Sequence, residues 1–480
     1  MEDDGFHHQR YVLAFMLFLA IANAYAMRAV LSLAITVMVS HEKRKSDPNA
    51  CPLGAVDHVH DENTQQYEFD WDETTQGLIL GSFYWGYVIM HIPGGLLAQK
   101  FGGKHTLGFG ILSTAIFTIL TPMAANMGPV WLIVWRFFEG LGEGTTFPAA
   151  NQLLAAWIPK TERGKVGAFV WAGIIMGTVI SSSLTGLLLK LTNNYWPVVF
   201  YLFGAVAILW FVVWLFIGYS EPGSNPFISQ KEMDYLEETI GSLTRRKDLP
   251  PTPWKEMATS WPVIALVITQ VGHDWGLFTI AADLPKYFAS VIHFSVHSNG
   301  LLSALPFLFM WIFSQGAGCL SDFIVERQWF SMTLTRKIFA TAASMGPAVG
   351  IILASYSGCN KVLAVMFFAI GMGFMGFYYP SIRINSLDLS PNYAATLMAI
   401  VNGLGAVSGI FSAPLIGIMT PNSTMSEWRL VFWLTFIILA VTNLFYLVFG
   451  SAEIQPWNDP NPVVQQPPPR SEIEIGPEPE

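Results

Sequence analysis

Val198-Val-Phe-Tyr-Leu-Phe-Gly-Ala-Val-Ala-Ile-Leu-Trp-Phe-Val-Val-Trp-Leu-Phe-Ile-Gly218 runs for 21 residues without a charged side chain. As a helix it would measure roughly 30 Å, the thickness of a bilayer's hydrocarbon core. Eleven further apolar runs flank it, at 11–39, 75–98, 105–124, 130–157, 166–189, 261–288, 299–320, 338–356, 361–382, 393–418 and 428–450. Across the 480 residues 52% are apolar and only 12% charged, against about 25% charged in soluble domains. The reading is an all-α polytopic membrane protein with twelve spans. The first run is too long, and too soon interrupted by Arg28, for a cleaved leader, so it is read as a retained span.

Net charge is −9, with no basic stripe interleaved with aromatics and no Gly-rich phosphate loop, so nucleic-acid binding and nucleotide hydrolysis lack support. Three cysteines, Cys51, Cys319 and Cys359, are too few for a disulfide framework or a thiolate metal site.

A polar stretch between the sixth and seventh spans divides the chain. The domains expected are an N-terminal segment 1–10, a six-helix bundle 11–218, a central loop 219–260, a second bundle 261–450 and a Pro- and Glu-rich disordered tail 451–480. Ser229-Gln-Lys-Glu232 reads as a capping box opening a short amphipathic helix in the loop. Gly95-Leu-Leu-Ala-Gln99 and Gly318-Cys-Leu-Ser-Asp322 stand at matching places in the halves, a weak repeat of the kind seen in secondary transporters. Counting Lys and Arg by loop places sixteen on the side of the N-terminus, Arg383 among them, and seven opposite, Lys286 among them. That bias puts both termini in the cytoplasm. Asn422-Ser-Thr is a glycosylation sequon on the outer side, in a loop short enough to keep it near the membrane.

Charges inside spans are costly and mark candidate sites. The fourth span carries Arg136, Glu139 and Glu143 within about 60° of one helical face. One arginine neutralises one carboxylate, leaving the second as a candidate proton carrier, with a structural salt bridge as the alternative for the group. Gly140, Gly142 and Gly144 suit close helix packing. Arg28 has no acid in its own span and suits a carboxylate or phosphate, with snorkelling to the interface as the alternative. In the seventh span His273-Asp274 reads either as a proton relay or as a solvated pair near the cytoplasmic mouth. His91 reads as a core histidine, and Tyr84 and Tyr87 as residues that could line a path, while Tyr378 and Tyr379 read as packing.

Arg136-Phe-Phe-Glu-Gly-Leu-Gly-Glu-Gly-Thr-Thr-Phe-Pro148, Gly81-Ser-Phe-Tyr-Trp-Gly-Tyr-Val88, Ile92-Pro-Gly-Gly95, Leu387-Asp-Leu-Ser-Pro-Asn-Tyr393, Asn402-Gly-Leu-Gly405 and Gly450-Ser-Ala-Glu-Ile-Gln-Pro-Trp457 come in one order. Together they resemble the anion:cation symporters of the major facilitator superfamily, a group with sialin, the type I sodium/phosphate cotransporters and the vesicular glutamate transporters. Among these the chain is most similar to invertebrate members labelled inorganic phosphate cotransporters and to sialin-like members. The resemblance implies a major facilitator fold of two six-helix bundles. It implies Arg28 as anion ligand, Arg136 as partner of the span-four acids and Glu143 as coupling carboxylate. Glu139 matches sialin-like members, whereas Leu80 and His273 depart from the glutamate transporters and Asn151 departs from sialin.

The expectation is a secondary active transporter carrying small organic or inorganic anions by proton-coupled symport, with sodium-dependent phosphate cotransport as the alternative and an anion channel, a receptor or an enzyme behind it. The substrate-binding set is Arg28, Arg136, Tyr25, Tyr84, Tyr87 and Glu139. Glu143 and Glu139 form the ion-coupling set, and Asn151, His273, Asp274 and Asn402 are accessory. No cofactor or metal is expected beyond the coupling ion, H+ or Na+. Partners are a small anion and the lipid bilayer, without nucleic acid, for a monomer in the plasma membrane or a lysosomal or vesicular membrane.

Overall fold

The computed structural model describes residues 9–40, 68–244 and 252–458. The acidic stretch 41–67, Arg245-Arg246-Lys247 and the tail beyond Asn458 lie outside them. The described residues are nearly all helical, as backbone groups in lipid must find their partners within their own segment. In chain order the helices are α1 Gln9–Met38, α2 Glu73–Phe101, α3 Gly103–Asn126, α4 Pro129–Gly144, α5 Thr146–Trp157, α6 Lys160–Trp171, α7 Gly173–Leu191, α8 Pro197–Ile217, α9 Gln230–Thr244, α10 Trp254–Thr259 and α11 Trp261–Ser290. They continue with α12 Val296–Glu326, α13 Met332–Tyr356, α14 Lys361–Met375, α15 Ile384–Leu389, α16 Ala394–Met419 and α17 Met425–Phe449.

Ten helical segments among the described residues are long and apolar enough to cross a membrane by length and composition. Two more have the length, α2 and the α4–α5 pair, which brings the number to twelve. Breaks fall where backbone hydrogen bonds fail. Pro148 has no N–H for the Gly144 carbonyl, and the helix divides at Thr145, whose hydroxyl donates instead to the Gly142 carbonyl at 3.0 Å. Pro380 likewise has none for Gly376, and α14 passes through a 3-10 turn, Gly376–Tyr378, and a π-turn, Tyr379–Arg383, into α15. The apolar run read as ending at Ile382 therefore continues to Leu389, and Arg383, counted as a loop cation, lies within the helical segment.

In the first half α2 packs on α4, α1 on α7, and α3 on α4 and α8; in the second, α13 packs on α14 and α17, α12 on α14, and α11 on α17. The halves meet where α2 crosses α16, α7 crosses α12 and α1 crosses α11. These crossings close the end of the molecule where α1 stops and α2 starts. There a Cβ on Gly186 of α7 would stand 2.9 Å from Gly300 Cα of α12, so only glycines permit that approach. Lys286, counted as a loop cation, is buried at this end with its Nζ 3.2 Å from Glu73 Oε2 and 3.9 Å from Asp283 Oδ1. The Glu73 pair joins α2 of one half to α11 of the other.

Removing one member of a buried ion pair strands the other, at about 3–5 kcal/mol. Lys286→Met is expected to lower stability in detergent by about 3 kcal/mol, and adding Glu73→Gln should return part of the loss. Thermal unfolding of the two single variants and the double variant measures this, and strict additivity would show that the pair does not couple the halves.

At the opposite end Ser229 Oγ accepts the Glu232 N–H at 3.2 Å, which is half of a capping box. The Glu232 carboxylate instead accepts the Gln9 and Arg10 backbone N–H groups and the Arg10 guanidinium, so it caps α1 rather than its own helix. Arg10, Tyr11 and Tyr235 also donate to Glu162. Partial burial pushes the Glu162 carboxyl up, but these donors outweigh it and hold it below its ordinary value. The contribution is complete above the ordinary carboxylate range and is lost as pH falls through the lowered value. Elsewhere, Arg336 Nε lies 2.7 Å from Asp388 Oδ2. Asn422, the sequon asparagine, donates its amide to Glu427 at 3.0 Å. Cys359 is disulfide-bonded and Cys319 is a free, exposed thiol.

Candidate functional site

Between the halves lies a cavity with about 80 Å³ of space for the centres of water molecules. Tyr25, Arg28, Tyr87, His91, Phe147 and Trp171 line it from the first half, and Gln270, His273, Asp274, Tyr378, Tyr379, Arg383 and Asn402 from the second. Its surface is mostly apolar and aromatic, with a few polar and charged groups on both walls, which suits a small charged occupant held at fixed points.

Arg28 projects from α1 and is only 9% exposed. The rings of Tyr25, Phe83, Tyr84 and Tyr87 surround its guanidinium at 4.4, 4.7, 5.7 and 4.7 Å from Cζ. Aromatic faces stabilise a cation without supplying an anion. Arg28 Nη2 donates to Glu143 Oε1 of α4, an ion pair across two helices. Arg28 Nε and Glu143 Oε2 are both buried and have no hydrogen-bond partner among the described residues. A donor on the arginine and an acceptor on the acid thus remain for a ligand and a proton.

Arg136 Nη1 lies 2.7 Å from Glu139 Oε2, one turn along α4, and Thr118 Oγ1 donates to Glu139 Oε1 at 3.0 Å. Phe83 lies between the two arginines, 4.7 Å from Arg28 Cζ and 4.9 Å from Arg136 Cζ. The face that presents Glu139 to Arg136 also presents Glu143, but Glu143 goes to Arg28. The surplus acid of the single-helix reading therefore has a cation of its own, 115 residues away in sequence. The glycines let this happen, since a Cβ on Gly140 would collide with the Phe83 carbonyl of α2, and one on Gly144 would come within 2.7 Å of the Tyr87 carbonyl.

On the second wall His273 and Asp274 are 3% and 7% exposed, in the middle of α11. They do not sit at a solvated mouth, because α11 starts at Trp261 on the central-loop side and both lie about a dozen residues inside it, buried. Asp274 Oδ1 accepts from Gln270 Nε2 at 2.9 Å and lies 3.1 Å from His273 Nδ1, while His273 stacks on Tyr378 with ring centroids 3.8 Å apart. His273 Nε2 is buried without a partner among the described residues. Arg383 Nη1 donates to Asn402 Oδ1 at 3.2 Å, and its Cζ lies 5.6 Å from the Trp171 ring of the first half.

Of the site residues expected from sequence, Arg28, Tyr25, Tyr87, His273, Asp274 and Asn402 line the cavity. Tyr84 touches Arg28 from behind it, and Glu143 is joined to the cavity through Arg28. Glu139 and Arg136 are buried about one and two turns before Glu143 on α4 and are not in the lining, and Asn151 is exposed on α5. Phe83, Trp171, Gln270 and Arg383 were not among the expected residues. Only Arg383 carried a usable signal, a lone arginine at the edge of an apolar run.

The family model of the Major Facilitator Superfamily matches residues 13–413. The chain is 39% identical over 472 residues to a Drosophila melanogaster protein described as a "Putative inorganic phosphate cotransporter", covering 95% of this chain and 88% of that protein. It is 37% identical to human sialin, over 93% of this chain and 90% of sialin. Among solved structures, a bacterial homolog of the human lysosomal transporter Spinster, inward-facing and unoccupied, superposes with a TM-score of 0.68 at 15% identity, covering 92% of this chain and 97% of that chain.

Proposed function

The chain belongs to the major facilitator superfamily, and from that premise we propose that it couples the symport of a small anion to protons through Arg28 and Glu143. It is a secondary active transporter and not an enzyme. The names of its relatives, one a phosphate cotransporter and one sialin, support an anionic substrate.

The ion pair between Arg28 and Glu143 at the cavity wall carries the reading. While Glu143 is ionised, it occupies the guanidinium that an anion would use. A proton on Glu143, at the unpartnered Oε2, removes that competitor and turns Arg28 over to a carboxylate or phosphate. Arg28 is then charge-compensated in two states only, empty with Glu143 ionised, or loaded with both proton and anion. An unpaired charge is costly in the low-dielectric interior, so the halves exchange access in those two states and the fluxes are coupled. Arg136 and Glu139 hold α4 in place behind the pair.

Both termini are assigned to the cytoplasm in a multi-pass membrane protein. Moving Arg383 and Lys286 into the interior leaves fifteen loop cations against six, so the bias keeps its sign. The reading divides the chain into two bundles, 11–218 and 261–450, with the central loop between them, acting as a monomer in the plasma membrane or a lysosomal or vesicular membrane.

The test is uptake of labelled phosphate, sialic acid, glucuronate and glutamate into proteoliposomes, with an inward proton gradient or an inward sodium gradient imposed separately. Accumulation of at least one anion under the proton gradient alone is expected. Accumulation under sodium alone would replace proton coupling with sodium-dependent cotransport, and downhill flux unaffected by either gradient would indicate a channel.

A further inference from the structure

Two guanidinium groups line the cavity, one from each half, Arg28 on α1 and Arg383 at the end of the π-turn before α15. Their surroundings differ. Arg28 has an acid on it, whereas Arg383 has no carboxylate within ion-pair distance among the described residues and has neutral partners, the Asn402 amide and the Tyr378 hydroxyl. It is partly open to the cavity rather than sealed. A desolvated cation without a counter-ion is costly in a membrane interior unless something anionic visits it. The nearby acid does not fill that role, because Asp274 spends Oδ1 on Gln270 and His273, and its Oδ2 packs against Gly405 of α16.

We propose that Arg383 is a second substrate-binding residue, so that the transported anion is a small dianion held between Arg28 and Arg383 and bridging the two halves. This rests on the anion-transport reading and adds the substrate's charge class to it. Arg383 keeps further N–H donors beyond the Asn402 and Tyr378 bonds, and the planar fork suits a second carboxylate or the far oxygens of a phosphate. The Trp171 ring beside it belongs to the first half, so engagement of Arg383 is sensed across the midline. A monoanion on Arg28 would leave Arg383 uncompensated and gain less from closure.

The experiment compares succinate, butyrate and inorganic phosphate as titrants of the purified full-length protein by calorimetry, for wild type, Arg383→Gln and Arg383→Lys, at a pH where succinate and phosphate are dianions. Wild type should bind succinate or phosphate at least about tenfold more tightly than butyrate, the difference one set of charge-assisted hydrogen bonds supplies. Arg383→Gln should weaken the dianion by about 10- to 100-fold and leave butyrate unchanged, so the preference collapses, and Arg383→Lys should restore part of it. A merely structural arginine would weaken all titrants together. An equal loss for succinate and butyrate, or an unchanged preference in Arg383→Gln, overturns the proposal while leaving anion binding by Arg28 intact. Absence of binding of all three to a wild-type protein that accumulates none of the labelled anions would instead remove the anion reading itself.

Discussion

Glu143→Gln is expected to abolish proton-driven accumulation while sparing anion exchange. The amide keeps the shape of the protonated acid and cannot ionise, so Arg28 loses its competitor permanently and remains available to the substrate. In wild type a gradient of one pH unit is worth about 1.4 kcal/mol, which supports about tenfold accumulation for one proton per anion at zero membrane potential. In the variant the empty carrier has no ionised acid to compensate Arg28 and cannot return, so the internal anion should stay at or below the external concentration at every imposed gradient. Counterflow, in which labelled anion outside exchanges for unlabelled anion inside, should run at a rate near that of wild type, because the doubly loaded form is mimicked throughout. Retained accumulation in Glu143→Gln vesicles would move the coupling step elsewhere, with Glu139 the next acid along α4 to test.

Arg28→Ala should eliminate both accumulation and counterflow. Loss of one partner of a buried, hydrogen-bonded charge pair typically costs 2–5 kcal/mol, about 30-fold to several thousand-fold in anion affinity. The same change strands Glu143 as a buried carboxylate, so the variant should also be less stable by about 3 kcal/mol. The Arg28→Ala/Glu143→Gln double variant separates the effects: thermal stability should return toward wild type while counterflow stays absent. Arg28→Lys should bind poorly despite its charge, since the ring cage at 4.4–5.7 Å is matched to a flat, weakly hydrated guanidinium and not to an ammonium. Counterflow in the double variant would show that Arg28 is structural.

These two residues mark the boundary of what one chain's periodicity could reveal. The fourth span's helical wheel placed Arg136, Glu139 and Glu143 on one face, and the three-residue spacing of Arg136 and Glu139 is the one the structure uses. It could not show that a second arginine, on α1, would reach Glu143, because that depends on how closely α2 and α4 approach at Phe83 and Gly140. Arg28 was noticed for lacking an acid within its own span, and its partner lies on another helix. Glu232 is the reverse case, a motif read as local whose side chain reached α1 instead. Loop counting misplaced Arg383 and Lys286, since a cation at the edge of an apolar run looks the same whether the helix stops there or continues through a π-turn.

The sequence by itself determined the helices, their number and their membrane setting. Each follows from a local demand, that about 20 consecutive residues satisfy their own backbone and present apolar side chains to lipid. It also determined which residues are expensive, since a charge inside such a run is visible from composition alone. Tertiary structure alone decided which charge answers which: Glu143 to Arg28, Lys286 to Glu73, and Arg383 to the cavity. The physical reason is that a buried charge takes whatever partner lies within a few ångströms, and such neighbours are set by helix packing between segments more than a hundred residues apart.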